Sequence, residues 1–215
     1  MHSPFKANQQ LLFIGDSITD CGRERPTGQG RSSSLGEGYV SFVSSILAAA
    51  LPETPLRVLN MGISGNRVTD LEARWQTDVL DLEPNWLSVM IGINDVWRQF
   101  DAEPGTEQVK PEQFEAVYRG LLAKSRAQLD GLVVMTPYFL ETKLDDPMRK
   151  RMDAYAAITK KLALEFGAVF VDVQAAFDRY LTYQPSQSLC ADRVHPNGVG
   201  HMIIAREFLS AVGVS

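Results

Sequence analysis

The chain is poor in the residues that build disulfide frameworks and metal sites: its 215 residues include two cysteines and three histidines. Cys21 and Cys190 cannot make a disulfide scaffold, and they fit a reducing compartment as two free thiols. A disulfide or redox switch between them is the lesser alternative. No H-E-x-x-H or paired Cys/His pattern occurs, so neither a metal nor a cofactor is expected. Long apolar runs are absent, and no stretch approaches the roughly 20 residues of a membrane span. Residues 1–10 are polar and contain no apolar core of a signal peptide, which points to a cytoplasmic protein. There is no excess of positive charge either: 21 Lys and Arg face 26 Asp and Glu, a net charge of −5. Nucleic acid and anionic membrane are therefore not expected partners. Arg23, Arg25 and Arg31 cluster in one loop, which reads as a solvated loop rather than an anion site.

What is present is a globular composition, 45% hydrophobic and 22% charged, at a length that suits one domain over residues 1–215. Five short apolar runs, residues 11–14, 56–60, 86–91, 131–135 and 169–172, read as strands. They are apolar on both faces, as parallel strands buried under helices are. Helical periodicity covers residues 39–51, 111–129 and 147–166, and a last helix follows Pro196. The alternation predicts an α/β fold, a three-layer α/β/α sandwich on a five-stranded parallel sheet. Loops 20–38, 97–110 and 136–146 are long, and each follows a strand, so all three open on one face. They carry Trp97, Arg98, Phe100, Tyr138 and Phe139. Such side chains suit a carbohydrate or an acyl group, and equally loop packing or a subunit interface.

Two segments carry the chemistry. Gly15-Asp16-Ser17-Ile18-Thr19 follows the first strand and puts a serine hydroxyl at the carboxyl edge of the sheet, where open α/β sheets hold their sites. Asp192-Arg193-Val194-His195-Pro196 supplies an acid and a base three residues apart. A serine hydroxyl needs a base to take its proton, and histidine needs a carboxylate to fix its tautomer. His2 lies at the terminus, and His201 falls on a helix beside Ala205 and Phe208 and reads as structural. His195 alone sits in a polar loop with an acid nearby. Two smaller pieces, Gly62-Ile63-Ser64-Gly65-Asn66 and Gly92-Ile93-Asn94-Asp95, follow other strands. Their candidate oxyanion donors are the Gly65 N–H and the Asn94 amide, beside the Ser17 N–H. Gly62 reads as a plain turn glycine; Asp16, Asp20, Asn66 and Asp95 read as braces and caps. Rival motifs fail on spacing. There is no G-x-G-x-x-G after the first strand, Ile18 stands where a phosphate-transferring aspartate would need a second acid, and Thr19 breaks G-x-S-x-G.

These four blocks, in this order, resemble the SGNH (GDSL-type) hydrolases. The resemblance implies a flavodoxin-like strand order, a catalytic triad of Ser17, His195 and Asp192, and an oxyanion hole of Ser17, Gly65 and Asn94. LLFIGDSITDCGR, MIGINDVWRQ and DRVHPNGVGHMI are similar to the intracellular bacterial acetylxylan esterases of that family. That similarity implies a serine esterase that removes acetyl groups from xylo-oligosaccharides, a small acetylated sugar as its partner, and a homo-oligomer as one possible assembly. Arg67, Trp97 and Tyr138 are the candidate substrate contacts. A thioesterase or lysophospholipase acting on longer acyl chains, and a glycan-binding module without turnover, remain the alternatives.

Overall fold

A computed structural model of the chain describes residues 3–30, 32–101, 105 and 107–214. His2, Arg31 and part of loop 97–110 lie outside the described residues. The elements run β1 (Gln10–Gly15), α1 (Ser17–Asp20), β2 (Gly28–Gln29), α2 (Tyr39–Ala50), β3 (Arg57–Asn60), α3 (Val68–Trp75), β4 (Trp86–Met90) and α4 (Ile93–Asp101). They continue with α5 (Pro111–Arg126), β5 (Gly131–Met135), α6 (Pro147–Glu165), β6 (Val169–Val171), α7 (Val173–Leu181) and α8 (Gly198–Ala211).

The sheet has six strands rather than five, in the order β2-β3-β1-β4-β5-β6. The five expected strands are mutually parallel, and among themselves they follow the flavodoxin-like order 2-1-3-4-5. The added strand, β2, pairs antiparallel with β3 through two residues. It is too short to carry an alternating pattern, so periodicity had nothing to register. β1, β4 and β5 are buried at every position. Helix α2 packs on α8, and α8 on α7; on the other face α3 packs on α5, and α5 on α6. No helix among the described residues is long and apolar enough to cross a membrane.

Among the described residues four helices add to the four expected: the short α1, and α3, α4 and α7. α3 buries Val68, Leu71 and Trp75 and runs on through a π-helical turn, Gln76–Leu80. α7 buries Val173, Ala176, Phe177 and Leu181. α4 occupies the segment expected to begin a loop at residue 97, so Trp97, Arg98 and Phe100 stand on a helix beside Asn94.

Candidate active site

The strand order reverses between β3 and β4 with β1 at the centre, and the chain leaves β1 directly into Ser17. Asp16 is extended and caps α1, its Oδ1 accepting from the Ile18 N–H at 3.0 Å. Ser17 is thereby the first residue of a short helix. Gly15 is required just before it: a Cβ there would collide with the Met90 carbonyl oxygen and the Thr19 side chain.

The loop that carries His195 is built by Asp192. Its Oδ1 accepts from the backbone N–H groups of Val194 at 3.0 Å and His195 at 2.9 Å. Arg193 adopts a left-handed conformation (φ 63°) that closes this turn. The other carboxylate oxygen, Oδ2, lies 2.6 Å from His195 Nδ1. With the Nδ1 proton given to Asp192, the neutral ring presents Nε2 as an acceptor, and Ser17 Oγ lies 2.8 Å from it. Ser17, His195 and Asp192 are thus joined in one hydrogen-bonded chain. Burial alone would raise the Asp192 carboxyl. The His195 ring and the two backbone N–H groups outweigh burial and hold it below the usual carboxylate range. The His195 and Asp192 side chains are 45% and 40% exposed, so the pair is open to an incoming substrate.

Outside the turn, Leu140 N–H donates to the Arg193 carbonyl at 3.0 Å and the Tyr138 hydroxyl to the Val194 carbonyl at 3.0 Å. Downstream, Asn197 caps α8 through the N–H groups of Val199 and Gly200.

Gly65 and Asn94 come together through the loop after β3. Gly65 has φ 83°, a conformation that favours glycine, and a Cβ there would meet nothing. Asn94 is buried, and its amide donates to the Asn66 carbonyl at 3.1 Å, one residue from Gly65. Asp95 reinforces the junction by accepting from the Val68 N–H at the start of α3, at 3.0 Å and 3.3 Å. Asp16 and Asp95 are both buried; desolvation raises each carboxyl from 3.8 to about 7, and Asp95 adds to the shift at Asp16.

The three candidate substrate contacts have different fates. The Trp97 ring stands beside His195, with centroids 5.8 Å apart, and the Arg98 guanidinium lies over the Trp97 ring, 4.7 Å from its centroid. Arg67 precedes α3; its guanidinium donates to Asp70 Oδ2 at 3.3 Å and to the Glu107 carbonyl at 3.1 Å. Tyr138 is a correction. It is completely buried, its ring packs on Phe177, and it has no surface to offer a sugar. Phe139 is likewise in the core, under the Arg193 guanidinium.

Further corrections concern the loops. Arg23 is not solvated: it is buried and donates to the carbonyls of Gly62, Glu24 and Pro26. Gly62 is more than a turn glycine, because a Cβ would collide with the α1 backbone at Thr19 and Asp20. Both cysteines are free. Cys21 instead faces His201, a pairing that nothing in a sequence signals across 180 residues. Among the described residues no three His, Cys, Asp or Glu side chains are grouped as a metal site.

A mostly parallel α/β sheet with a serine–histidine–aspartate chain at its carboxyl edge is the arrangement of a serine hydrolase. Residues 13–203 match the GDSL-like lipase/acylhydrolase family, and the chain belongs to that family. It is similar to the acetylxylan esterase of Geobacillus stearothermophilus, with 49% identity over 208 residues, 96% of this chain and 95% of that one. The crystal structure of Axe2, an acetylxylan esterase from that organism, superposes with a TM-score of 0.97 at 47% identity, covering 99% of this chain and 97% of that one. Three solved variants of Axe2 are catalytic mutants at a serine, an aspartate and a histidine, the last two separated as Asp192 and His195 are. LAE5, an α/β hydrolase from the metagenome of Lake Arreo, superposes with a TM-score of 0.96 at 46% identity, over 99% of this chain and 98% of that one.

Proposed function

We propose that this protein is a serine esterase that removes O-acetyl groups from carbohydrates, acetylated xylo-oligosaccharides above all. Ser17 Oγ attacks the acetyl carbonyl carbon while His195 Nε2, 2.8 Å away, takes its proton. Asp192 holds the ring in the productive tautomer and stabilises the imidazolium. The Ser17 and Gly65 N–H groups and the free N–H of the Asn94 amide receive the oxyanion. Collapse breaks the bond to the sugar oxygen, which leaves with the proton from His195, and acetyl-Ser17 remains. Water then adds to this ester with His195 again as base, releasing acetate and restoring the hydroxyl. Trp97, beside His195, forms a wall for the sugar ring, and Arg67, two residues after Gly65, is the second candidate contact. Short oligosaccharides, rather than the polymer, suit an enzyme working in the cytoplasm.

The observation that carries the chemistry is the unbroken chain Ser17–His195–Asp192. The choice of substrate is supported by the 49% identity to an acetylxylan esterase. The test is acetate release from acetylated xylo-oligosaccharides beside simple sugar acetates and acyl-thioesters, with Ser17→Ala as control. Rapid release from the oligosaccharides that Ser17→Ala abolishes is the expected result. Preference for long-chain thioesters would overturn the substrate, and an unimpaired Ser17→Ala would overturn the nucleophile.

A further inference from the structure

The nucleophile and its base come from opposite ends of the chain, so their contact depends on how α1 and α8 are registered. One polar network joins these elements outside the site. His201, on the first turns of α8, is buried. Its Nδ1 accepts the N–H of Tyr39, the first residue of α2, at 3.2 Å. The proton of the neutral ring is then on Nε2, which lies 3.1 Å from Cys21 Sγ. Cys21 ends α1: its N–H donates to the Ser17 carbonyl at 3.1 Å and its backbone is left-handed (φ 41°). Tyr39 returns to α1 through its hydroxyl, 3.1 Å from Thr19 Oγ1. The network closes on both helices, and Gly38 makes room for it. A Cβ at Gly38 would meet Cys21 Sγ at 2.8 Å and His201 Cε1 at 3.2 Å.

We propose that Cys21 and His201 are positioning residues, a thiol–imidazole latch that fixes α8 on α1 and thereby sets the distance between His195 and Ser17. The proposal rests on the reading of Ser17 as nucleophile and His195 as base. The latch is neutral at physiological pH. Burial lowers His201 to about 4, with a further push from the nearby His195, and burial raises Cys21 to about 11. A neutral imidazole here does not oppose the positive charge that His195 acquires during attack. It also leaves the thiol unactivated, so Cys21 is a hydrogen-bond acceptor and not a second nucleophile.

The test uses Cys21→Ala, Cys21→Ser, His201→Asn and the double variant Cys21→Ala/His201→Asn. Asparagine keeps an acceptor for the Tyr39 N–H and loses the arm to sulfur. Each protein is assayed for kcat and KM on 4-nitrophenyl acetate, for thermal melting and for the rate of labelling by a fluorophosphonate. Because small misplacements of reacting groups are costly, Cys21→Ala should lower kcat and the labelling rate about tenfold with KM nearly unchanged. Cys21→Ser should restore most of the loss. The double variant should be no worse than either single variant, because both cut one arm. Wild-type kcat and labelling in Cys21→Ala, whatever its melting point, would overturn the latch and leave the nucleophile reading intact. Losses that multiply in the double variant would overturn it too. A wild-type protein inert to the fluorophosphonate would overturn both readings. Where His201→Asn fails to fold, the comparison of Cys21→Ala with Cys21→Ser decides alone.

Discussion

The Tyr138 hydroxyl, in a side chain with no exposed surface, donates at 3.0 Å to the Val194 carbonyl, one residue before His195. A core aromatic thus braces the loop that presents His195. Tyr138→Phe leaves that carbonyl without its partner at a cost of about 1–3 kcal/mol and lets the loop relax. The expected result is a several-fold fall in kcat on both 4-nitrophenyl acetate and acetylated xylo-oligosaccharides, with KM unchanged. A rise in KM confined to the sugar substrate would instead make Tyr138 a sugar contact.

Asp192→Asn isolates the tautomer. Asparagine Oδ1 can still accept from the Val194 and His195 N–H groups, so the turn survives. Its amide would face Nδ1 and drive the ring proton to Nε2, opposite Ser17. Activity should fall by roughly 10²–10⁴, less than for Ser17→Ala or His195→Ala. Steady-state rates on 4-nitrophenyl acetate measure this directly, and an active Asp192→Asn would mean that another group orients His195.

In the proposed mechanism Asn94 has two tasks: one amide N–H on the Asn66 carbonyl, the other toward the oxyanion. Asn94→Ala should lower kcat by roughly 10²–10³ with KM nearly constant, because the oxyanion exists only in the transition state. An effect on KM alone would assign Asn94 to ground-state binding.

The central strands and long helices were legible because burial on both sides, or on one helical face, leaves a continuous pattern. Ser17, Asp192 and His195 were legible because each stands in a short segment whose polarity interrupts that pattern. The helix at Ile93 carries the apolar positions Ile93, Val96 and Trp97, but its polar residues read as the start of a loop. Tyr138 failed for a different reason. An aromatic in a segment without periodicity does not disclose whether it faces solvent, and here Phe177 and Val194 draw it inward. The partners of Cys21 and Arg23 are contacts across the fold, which local spacing does not encode.

Asp16 and Asp95 make stability depend on pH in an unusual sense. Burial raises each carboxyl from 3.8 to about 7. Between these limits the folded chain holds protons that the unfolded chain has released, so stability declines as pH rises from about 4 to about 7. Asp20 and Asp192 act oppositely: their carboxyls are held low, and what they contribute is lost as pH falls through the acid range. Asparagine at position 95 keeps an acceptor for Val68 N–H and cannot ionise. Melting temperatures from pH 5 to pH 8 should therefore fall less for Asp95→Asn than for wild type. A constant difference between the two would show that Asp95 does not change charge in this range.

Substrate size follows from where the apolar side chains go. Tyr138, Phe139 and Leu140 leave β5 toward the site but are buried in the core, committed to packing rather than to the walls of an acyl tunnel. Beside His195 stands the Trp97 ring, and Asn94, on the same helix, holds the Asn66 carbonyl. Such walls suit a sugar ring and a short acyl group. Each methylene buried in a fitting pocket would contribute up to about 0.8 kcal/mol, so a true acyl tunnel would hold or raise kcat/KM as the chain lengthens. The expected series for 4-nitrophenyl acetate, butyrate and octanoate is a steep decline. Octanoate cleaved with the kcat/KM of acetate would overturn the acetylesterase reading in favour of a thioesterase or lysophospholipase.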